Sequence, residues 1–148
     1  MSVTMKGPWS ESQIEKFLQE CVIPLRLACV GADGFPRVVA VWFLFQGGRF
    51  HSVSHQDSQL IALLRDSNKV GFEVAPEKPP YYGVRGQGIA SLTHEGAGDV
   101  LDQVLQRYLG GTDSGLAQWL LSRRDEEVLI SVEPKRLFSW DYRERMKT

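Results

Sequence analysis

Four polar side chains in one short segment have the chemistry to bind an anion. Ser52, Ser54 and Ser58 each carry a hydroxyl group, and His55 carries an imidazole, a group that can take up a proton and bring a positive charge to a bound dianion. A helix is predicted at 58–65, and the free N–H groups and dipole of a helix N-terminus favour negative charge. The segment predicts a phosphate site, although the same residue types are also common in surface loops and caps.

A continuous apolar run, 38–45, precedes this segment and reads Val-Val-Ala-Val-Trp-Phe-Leu-Phe. A strand of an antiparallel sheet normally alternates between a buried and a solvated face, and this run does not alternate. One face can line a barrel interior, and the other then requires a helix, a cofactor or a second subunit. We interpret the run as an indication of a homodimer. Its side chains would also suit a flat aromatic ligand.

The elements that position these residues are mostly strands joined by short turns. The period-2 pattern and turn residues predict a three-stranded antiparallel meander, followed by a helix with Asp57 as its N-cap. Glycines at 86 and 88 indicate a bulge or a close backbone approach in a later strand. Strands are predicted at 25–30, 35–45, 49–54, 70–74, 84–93, 128–132 and 137–142, with a turn at 133–135. Helices are predicted from a capping box at Ser10 and Gln13 to a stop at Pro24, and at 58–65, 98–109 and 114–122. The chain is therefore expected to be mainly β with peripheral helices (α+β), a closed or split antiparallel barrel.

Composition excludes several classes of protein. The chain of 148 residues has 17 Lys and Arg against 18 Asp and Glu, a net charge of −1, which argues against nucleic-acid binding. No apolar run approaches the roughly 20 residues that cross a membrane, no secretory signal is visible, and the two cysteines form no metal-binding pattern. We expect a single soluble, cytoplasmic domain over residues 1–148, without metal and without a nucleic-acid or membrane partner.

Four segments, in this order, closely resemble the pyridoxamine 5′-phosphate oxidase-like family of flavin-binding split barrels: 26–45, 52–58, 80–90 and 130–140. The first begins Arg-Leu-Ala-Cys-Val and continues through Asp-Gly-Phe-Pro-Arg, and the last contains Val-Glu-Pro and ends in Ser-Trp. The resemblance implies an antiparallel, FMN-binding-protein-like split β-barrel and a homodimer. It also implies flavin mononucleotide (FMN) at the subunit interface, or alternatively the deazaflavin F420 or haem.

The resemblance also implies which residues bind the cofactor. The phosphate would be bound by Ser52, Ser54, His55, Ser58 and Gln59, and the edge of the ring by the backbone of Val39, Ala40 and Val41, with Arg37 as a further cation. No catalytic acid or base is identifiable, as expected where a flavin performs the redox step. The implied function is a flavin-dependent oxidoreductase acting on an unidentified small molecule.

The sequence departs from the family at two basic positions. The family's phosphate-binding Lys corresponds to Leu60, and the Arg that often precedes it corresponds to Gln59. Arg37, Arg49 and Arg85 could compensate, or could be solvent-facing charges on strands. The alternative function is therefore a non-catalytic split-barrel binding protein that holds deazaflavin, haem or no cofactor. Because the C-terminal segment lacks the Arg-rich substrate motif of true oxidases, we expect poor turnover of pyridoxamine phosphate.

Overall fold

The computed structural model describes residues 3–147. Within that range the chain forms one sheet of eight strands with four α-helices around it, and a 3-10 turn at Arg124–Glu126 leads into the last strand. In chain order the elements are β1 (Thr4–Lys6), α1 (Glu11–Glu20), β2 (Leu25–Val30), β3 (Pro36–Val41), β4 (Leu44–Gln46), β5 (Arg49–His55), α2 (Gln59–Asp66), β6 (Lys69–Val74), β7 (Tyr82–Thr93), α3 (Ala97–Leu109), α4 (Gly115–Leu121) and β8 (Glu127–Asp141). The predicted α+β class is confirmed.

The strand order places β3 and β4, which are consecutive in the chain, at opposite edges of the sheet. The order is β3-β2-β6-β7-β8-β5-β4, with antiparallel neighbours, and β1 adds a short parallel pairing to β8. The predicted meander is wrong in one respect, because β3 pairs with β2 but not with β5. The apolar run that was predicted as one strand is broken at Trp42 and Phe43, and the chain crosses there from one edge strand to the other.

Contacts with α3 hold this crossing in place. The Trp42 ring stacks on Tyr108 with centroids 5.1 Å apart and planes within 6° of parallel. The backbone N–H of Phe43 donates to the Tyr108 hydroxyl (3.3 Å), which itself donates to the carbonyl of Ile23 (2.8 Å). The Phe43 side chain is fully buried. Burial of the Phe43 ring and stacking of the half-buried Trp42 ring on Tyr108 therefore accompany the break in the strand.

The last strand also differs from the prediction. A turn at 133–135 was predicted, but β8 runs without interruption from Glu127 to Asp141 and pairs with β7 along its length. The pairing shifts between Gln87 and Gly88 on β7, so that Lys135 is the additional residue of a bulge on β8. Proline is tolerated in a sheet at such a bulge, which explains Pro134 inside the strand. The bulge predicted from the β7 glycines is confirmed.

Two buried clusters support the site. The larger core fills the curl of the sheet beneath α1 and α2. The smaller joins α3 and α4 to the β4–β5 edge and consists of Leu44, Val100, Leu101, Val104, Leu105 and Ala117. The smaller cluster fixes the α3–α4 pair opposite the start of α2, which creates a cleft between them.

Candidate cofactor-binding cleft

The cleft lies between the edge strand β3, the N-terminus of α2 and the α3–α4 pair. Its volume is about 730 Å³, within the range of about 300–1,000 Å³ common for small-molecule sites. Apolar side chains form most of its wall, and polar groups gather at the end near α2. It is lined by Arg37, Val38, Val39, Ala40, Val41, Trp42, Val53, Ser54, His55, Ser58, Gln59, Leu60, Leu63, Leu101, Val104, Leu120, Arg123 and Glu127.

Nearly all of the predicted cofactor residues lie together in this cleft. Ser52 is the exception, because its side chain is buried and its hydroxyl donates to the Trp42 carbonyl at 2.7 Å. Ser52 therefore holds the crossing segment and does not line the cleft. The residues that do line it are Arg37, Val39, Ala40, Val41, Ser54, His55, Ser58 and Gln59.

The polar end of the cleft is built on the first turn of α2. Ser58 is the N-cap of the helix, not Asp57 as predicted, and its Oγ accepts a hydrogen bond from the Ile61 N–H at 3.2 Å. The Ser54 and Ser58 hydroxyl oxygens are 2.9 Å apart. Within residues 3–147 the N–H groups of Gln59 and Leu60 have no hydrogen-bond acceptor. Two free backbone donors beside two hydroxyl groups fit a phosphate.

The imidazole of His55 is engaged on both nitrogens. Its Nδ1 accepts a hydrogen bond from the Asp57 backbone N–H at 3.1 Å, so the ring proton lies on Nε2. Nε2 donates to a carboxylate oxygen of Glu126 at 3.2 Å. In this arrangement both ring nitrogens support the turn before α2. To bind an anion directly, His55 would have to give up one of these bonds.

Of the three arginines that could compensate for the basic residues absent at positions 59 and 60, Arg37 lines the cleft and Arg49 and Arg85 do not. Leu60 is only 7% exposed and belongs to the larger core. Arg49 pairs with Glu133 at 3.3 Å, and Arg85 lies over the Phe138 ring at 5.6 Å, both outside the cleft. Arg37 does line the cleft, but its guanidinium pairs with Asp33 at 3.3 Å.

The cation that sequence reasoning missed is Arg123, between α4 and β8. Its guanidinium lies 4.4 Å from the centre of the Trp119 ring and 3.7 Å from a carboxylate oxygen of Glu127. Its Nε is buried and has no hydrogen-bond partner among the described residues. No sequence signal connects Arg123 with the Ser54–Ser58 segment, since the two are distant in the chain and meet through α3 and β8.

Glu127 places a buried carboxyl group in the same cleft. It is 4% exposed, and burial raises the pKa of this carboxyl above its ordinary value of 4.5, an effect that Arg123 and then His55 partly offset. The cleft therefore holds the Arg123 guanidinium beside a buried carboxyl group. An anionic ligand bound there would favour the protonated form of that carboxyl.

Across residues 3–147 the structure brings together no group of three or more His, Cys, Asp and Glu side chains suited to a metal ion. Among the helices of that part of the chain, none has the length and apolar character needed to span a membrane.

Solved structures of other proteins share this architecture. The conserved hypothetical protein Rv2991 from Mycobacterium tuberculosis has a TM-score of 0.82 and 23% identity, over 100% of this chain and 94% of that one. An F420 reductase has a TM-score of 0.70 and 22% identity, over 82% and 94% of the two chains. A candidate pyridoxamine 5′-phosphate oxidase from Listeria innocua has a TM-score of 0.63 and 19% identity, over 85% and 91%.

Other proteins with this fold are named for different cofactors. They include the haem storage protein HutZ from Vibrio cholerae (TM-score 0.67, 20% identity, 86% and 92% covered) and an FAD-binding protein from Mesorhizobium loti (0.63, 17%, 88% and 91%). No protein-family profile and no curated protein sequence matches the chain. The chain has the split β-barrel fold of the pyridoxamine 5′-phosphate oxidase-like proteins, as its sequence motifs predicted.

Proposed function

We propose that this protein is a flavin-dependent oxidoreductase that binds FMN in the cleft between β3, α2 and the α3–α4 pair. The observation that carries the proposal is the arrangement of that cleft. Free backbone donors and two serine hydroxyl groups lie at one end, and the apolar wall of β3 extends from it. This distribution matches a ligand with a phosphate at one end and a flat ring at the other.

Each part of the cleft has a defined role in this proposal. Ser54, Ser58 and the start of α2 bind the phosphate. Val39, Ala40 and Val41 contact the ring and offer it the free backbone groups of an edge strand, since β3 pairs on one side with β2. The bound flavin would supply the electron and hydride chemistry, and the polypeptide binds, orients and shields it.

A second subunit would complete the site. Val38 points away from the core and is 69% exposed, and Phe35 is 68% exposed, whereas the neighbouring Val39 and Val41 are half-buried. We propose that a homodimer covers this outer face of β3 and with it one side of the cleft. Large apolar side chains left exposed on an edge strand are typical of such an interface.

The competing function is a split-barrel binding protein without redox turnover, holding deazaflavin, haem or no cofactor. The observation in its favour is Leu60, which occupies the family's basic position with a side chain buried in the core. Proteins of this fold named for F420 and for haem make both ligands reasonable alternatives.

The absorption spectrum of the purified protein, followed by titration with FMN and F420, separates these functions. We expect flavin absorbance, or binding of added FMN at micromolar concentration. A haem spectrum, or a colourless protein that binds F420 but not FMN, would favour the alternative. Failure to bind any of the three would overturn the cofactor proposal.

A substitution at the helix cap tests where the phosphate lies. Ser58→Asp preserves the N-cap, since Asp caps helices as well as Ser does, but adds a negative charge to the site. We expect FMN to bind at least about tenfold more weakly, the order of a lost charge-assisted hydrogen bond. Ser58→Asn, a neutral cap, is the matched control. Equal FMN affinity of the Asp and Asn variants would contradict this placement of the phosphate.

A further inference from the structure

We propose that Arg123 is the cation that binds the phosphate of the cofactor, in place of the basic side chains that are absent at positions 59 and 60. This inference rests on the proposed FMN function and deepens it by naming a specificity-determining residue. It assigns the role to a different element, since Arg123 lies between α4 and β8 and not on the helix that follows β5.

The need for a cation follows from the composition of the polar end. Ser54, Ser58 and the first N–H groups of α2 are neutral donors, and both ring nitrogens of His55 are already engaged by Asp57 and Glu126. The acidic side chains nearby are Asp57, Glu126 and Glu127. A phosphate with a charge near −2 would face these carboxyl groups with little to balance them. Arg37 is half-exposed and already paired with Asp33.

Arg123 is positioned to supply that charge. It lines the same cleft as Ser54 and Ser58 and is joined to their end of it through Glu127, whose Cα is the β-ladder partner of His55. Contact with the Trp119 ring at 4.4 Å orients the guanidinium plane. Its side chain is mostly buried, with 27% of its surface exposed, which lowers the entropy lost when it binds a ligand.

The hydrogen-bonding capacity of Arg123 is not used up. A guanidinium has five N–H donors, yet its contact with Glu127 spans 3.7 Å, longer than a hydrogen bond, and the buried Nε has no partner among residues 3–147. A buried arginine donor without an acceptor is unfavourable unless a ligand supplies one. A phosphate oxygen is the acceptor that suits a guanidinium, often through two parallel bonds.

The test compares FMN with riboflavin, which has the same ring but no phosphate. For Arg123→Gln we expect FMN affinity to fall by about ten- to a hundredfold while riboflavin affinity stays within about twofold of the wild-type value. Arg123→Lys retains the charge without the planar donors and should lie between the two. The matched control is Arg124→Gln, since Arg124 is exposed, pairs with Asp102 and does not line the cleft.

A double variant distinguishes loss of the phosphate contact from a general loss of folding. Arg123→Gln alone leaves the Glu127 carboxyl buried without its cation, whereas Arg123→Gln with Glu127→Gln removes both charges. The double variant should melt near the wild-type temperature and still lose selectivity for FMN over riboflavin. Unchanged FMN selectivity in the folded variants, or an equal loss for both ligands, would overturn the role of Arg123. If the wild-type protein itself binds no FMN, the proposed function fails instead.

Discussion

Glu127 shows how one side chain links the cleft to the stability of the whole chain. The pKa of its carboxyl is raised in the folded protein because burial disfavours the carboxylate. In the window above the ordinary pKa of 4.5 the folded state therefore binds more protons than the unfolded state. The contribution to stability is complete below that value and is lost as the pH rises through the raised pKa.

We therefore predict that Glu127→Gln becomes more stable relative to the wild-type protein as the pH rises from about 4 to 7. The amide of Gln has no proton to lose in this range, so its stability lacks this pH dependence. Urea denaturation of both proteins at several pH values measures the difference. Glu95→Gln, at an exposed glutamate, is the control for removal of a charge. A difference between the wild-type protein and Glu127→Gln that is independent of pH, or that has the opposite slope, would contradict this assignment.

At the residue scale, roles that depend on neighbours close in the chain could be predicted, and roles that depend on distant partners could not. Ser54 and Ser58 were recognised because they lie four positions apart and a helix follows, and in the structure their hydroxyl oxygens are 2.9 Å apart. The role of Ser52 could not be seen, since it depends on a carbonyl ten residues away across a chain crossing. No pattern near Arg123 in the sequence indicates a binding role, because tertiary packing alone places its side chain in the cleft.

At the scale of elements, helices were predicted with the smallest error. The capping box of Ser10 and Gln13 is formed as expected, and the α3 helix ends at Gly110 in the left-handed region with φ of 74°. Strand boundaries were less predictable. The break at Trp42 and Phe43 and the uninterrupted β8 both depend on partners elsewhere in the sheet, which local hydrophobic pattern does not report.

The glycines of β7 offer a test at this scale. A Cβ at Gly86 would collide with the carbonyl oxygen of Arg136 on β8 and would lie 2.8 Å from the Phe72 ring on β6. We predict that Gly86→Ala lowers the free energy of unfolding by about 1–3 kcal/mol, the usual cost of overpacking.

The matched control is Gly71→Ala on the neighbouring strand β6, where the nearest atoms to an added Cβ are 3.7 Å away. It should be close to neutral in the same thermal or urea unfolding experiment. Comparable stability of the two alanine variants would show that β7 and β8 separate more easily than the close packing around Gly86 suggests.

At the scale of the whole molecule, the exposed face of β3 is the feature that a single chain leaves unexplained. An edge strand that presents Val38 to water, with the exposed Phe35 directly before it, is an unfavourable surface for a monomer. The proposed dimer would bury these side chains and cover the open side of the cleft.

We predict that Val38→Lys weakens dimerisation by at least about tenfold, because a charged side chain would have to be buried in the interface. Light scattering coupled to gel filtration over a range of concentrations measures this. Val22→Lys is the control, since Val22 is also exposed (47%) but lies outside β3. A wild-type protein that remains monomeric at high micromolar concentration would overturn the dimer, and with it the interpretation of the apolar run.

The sequence by itself determined the fold class, the capping box of α1 and the grouping of Ser54 and Ser58 at the start of a helix. These depend on patterns within a few residues, where hydrophobic period, cap chemistry and turn residues act locally. Only the tertiary structure decided that β3 and β4 form opposite edges, that Ser52 supports the crossing, and that Arg123 and Glu127 enter the cleft. Those arrangements arise from packing between elements far apart in the chain, and the residues around each position do not indicate such distant contacts.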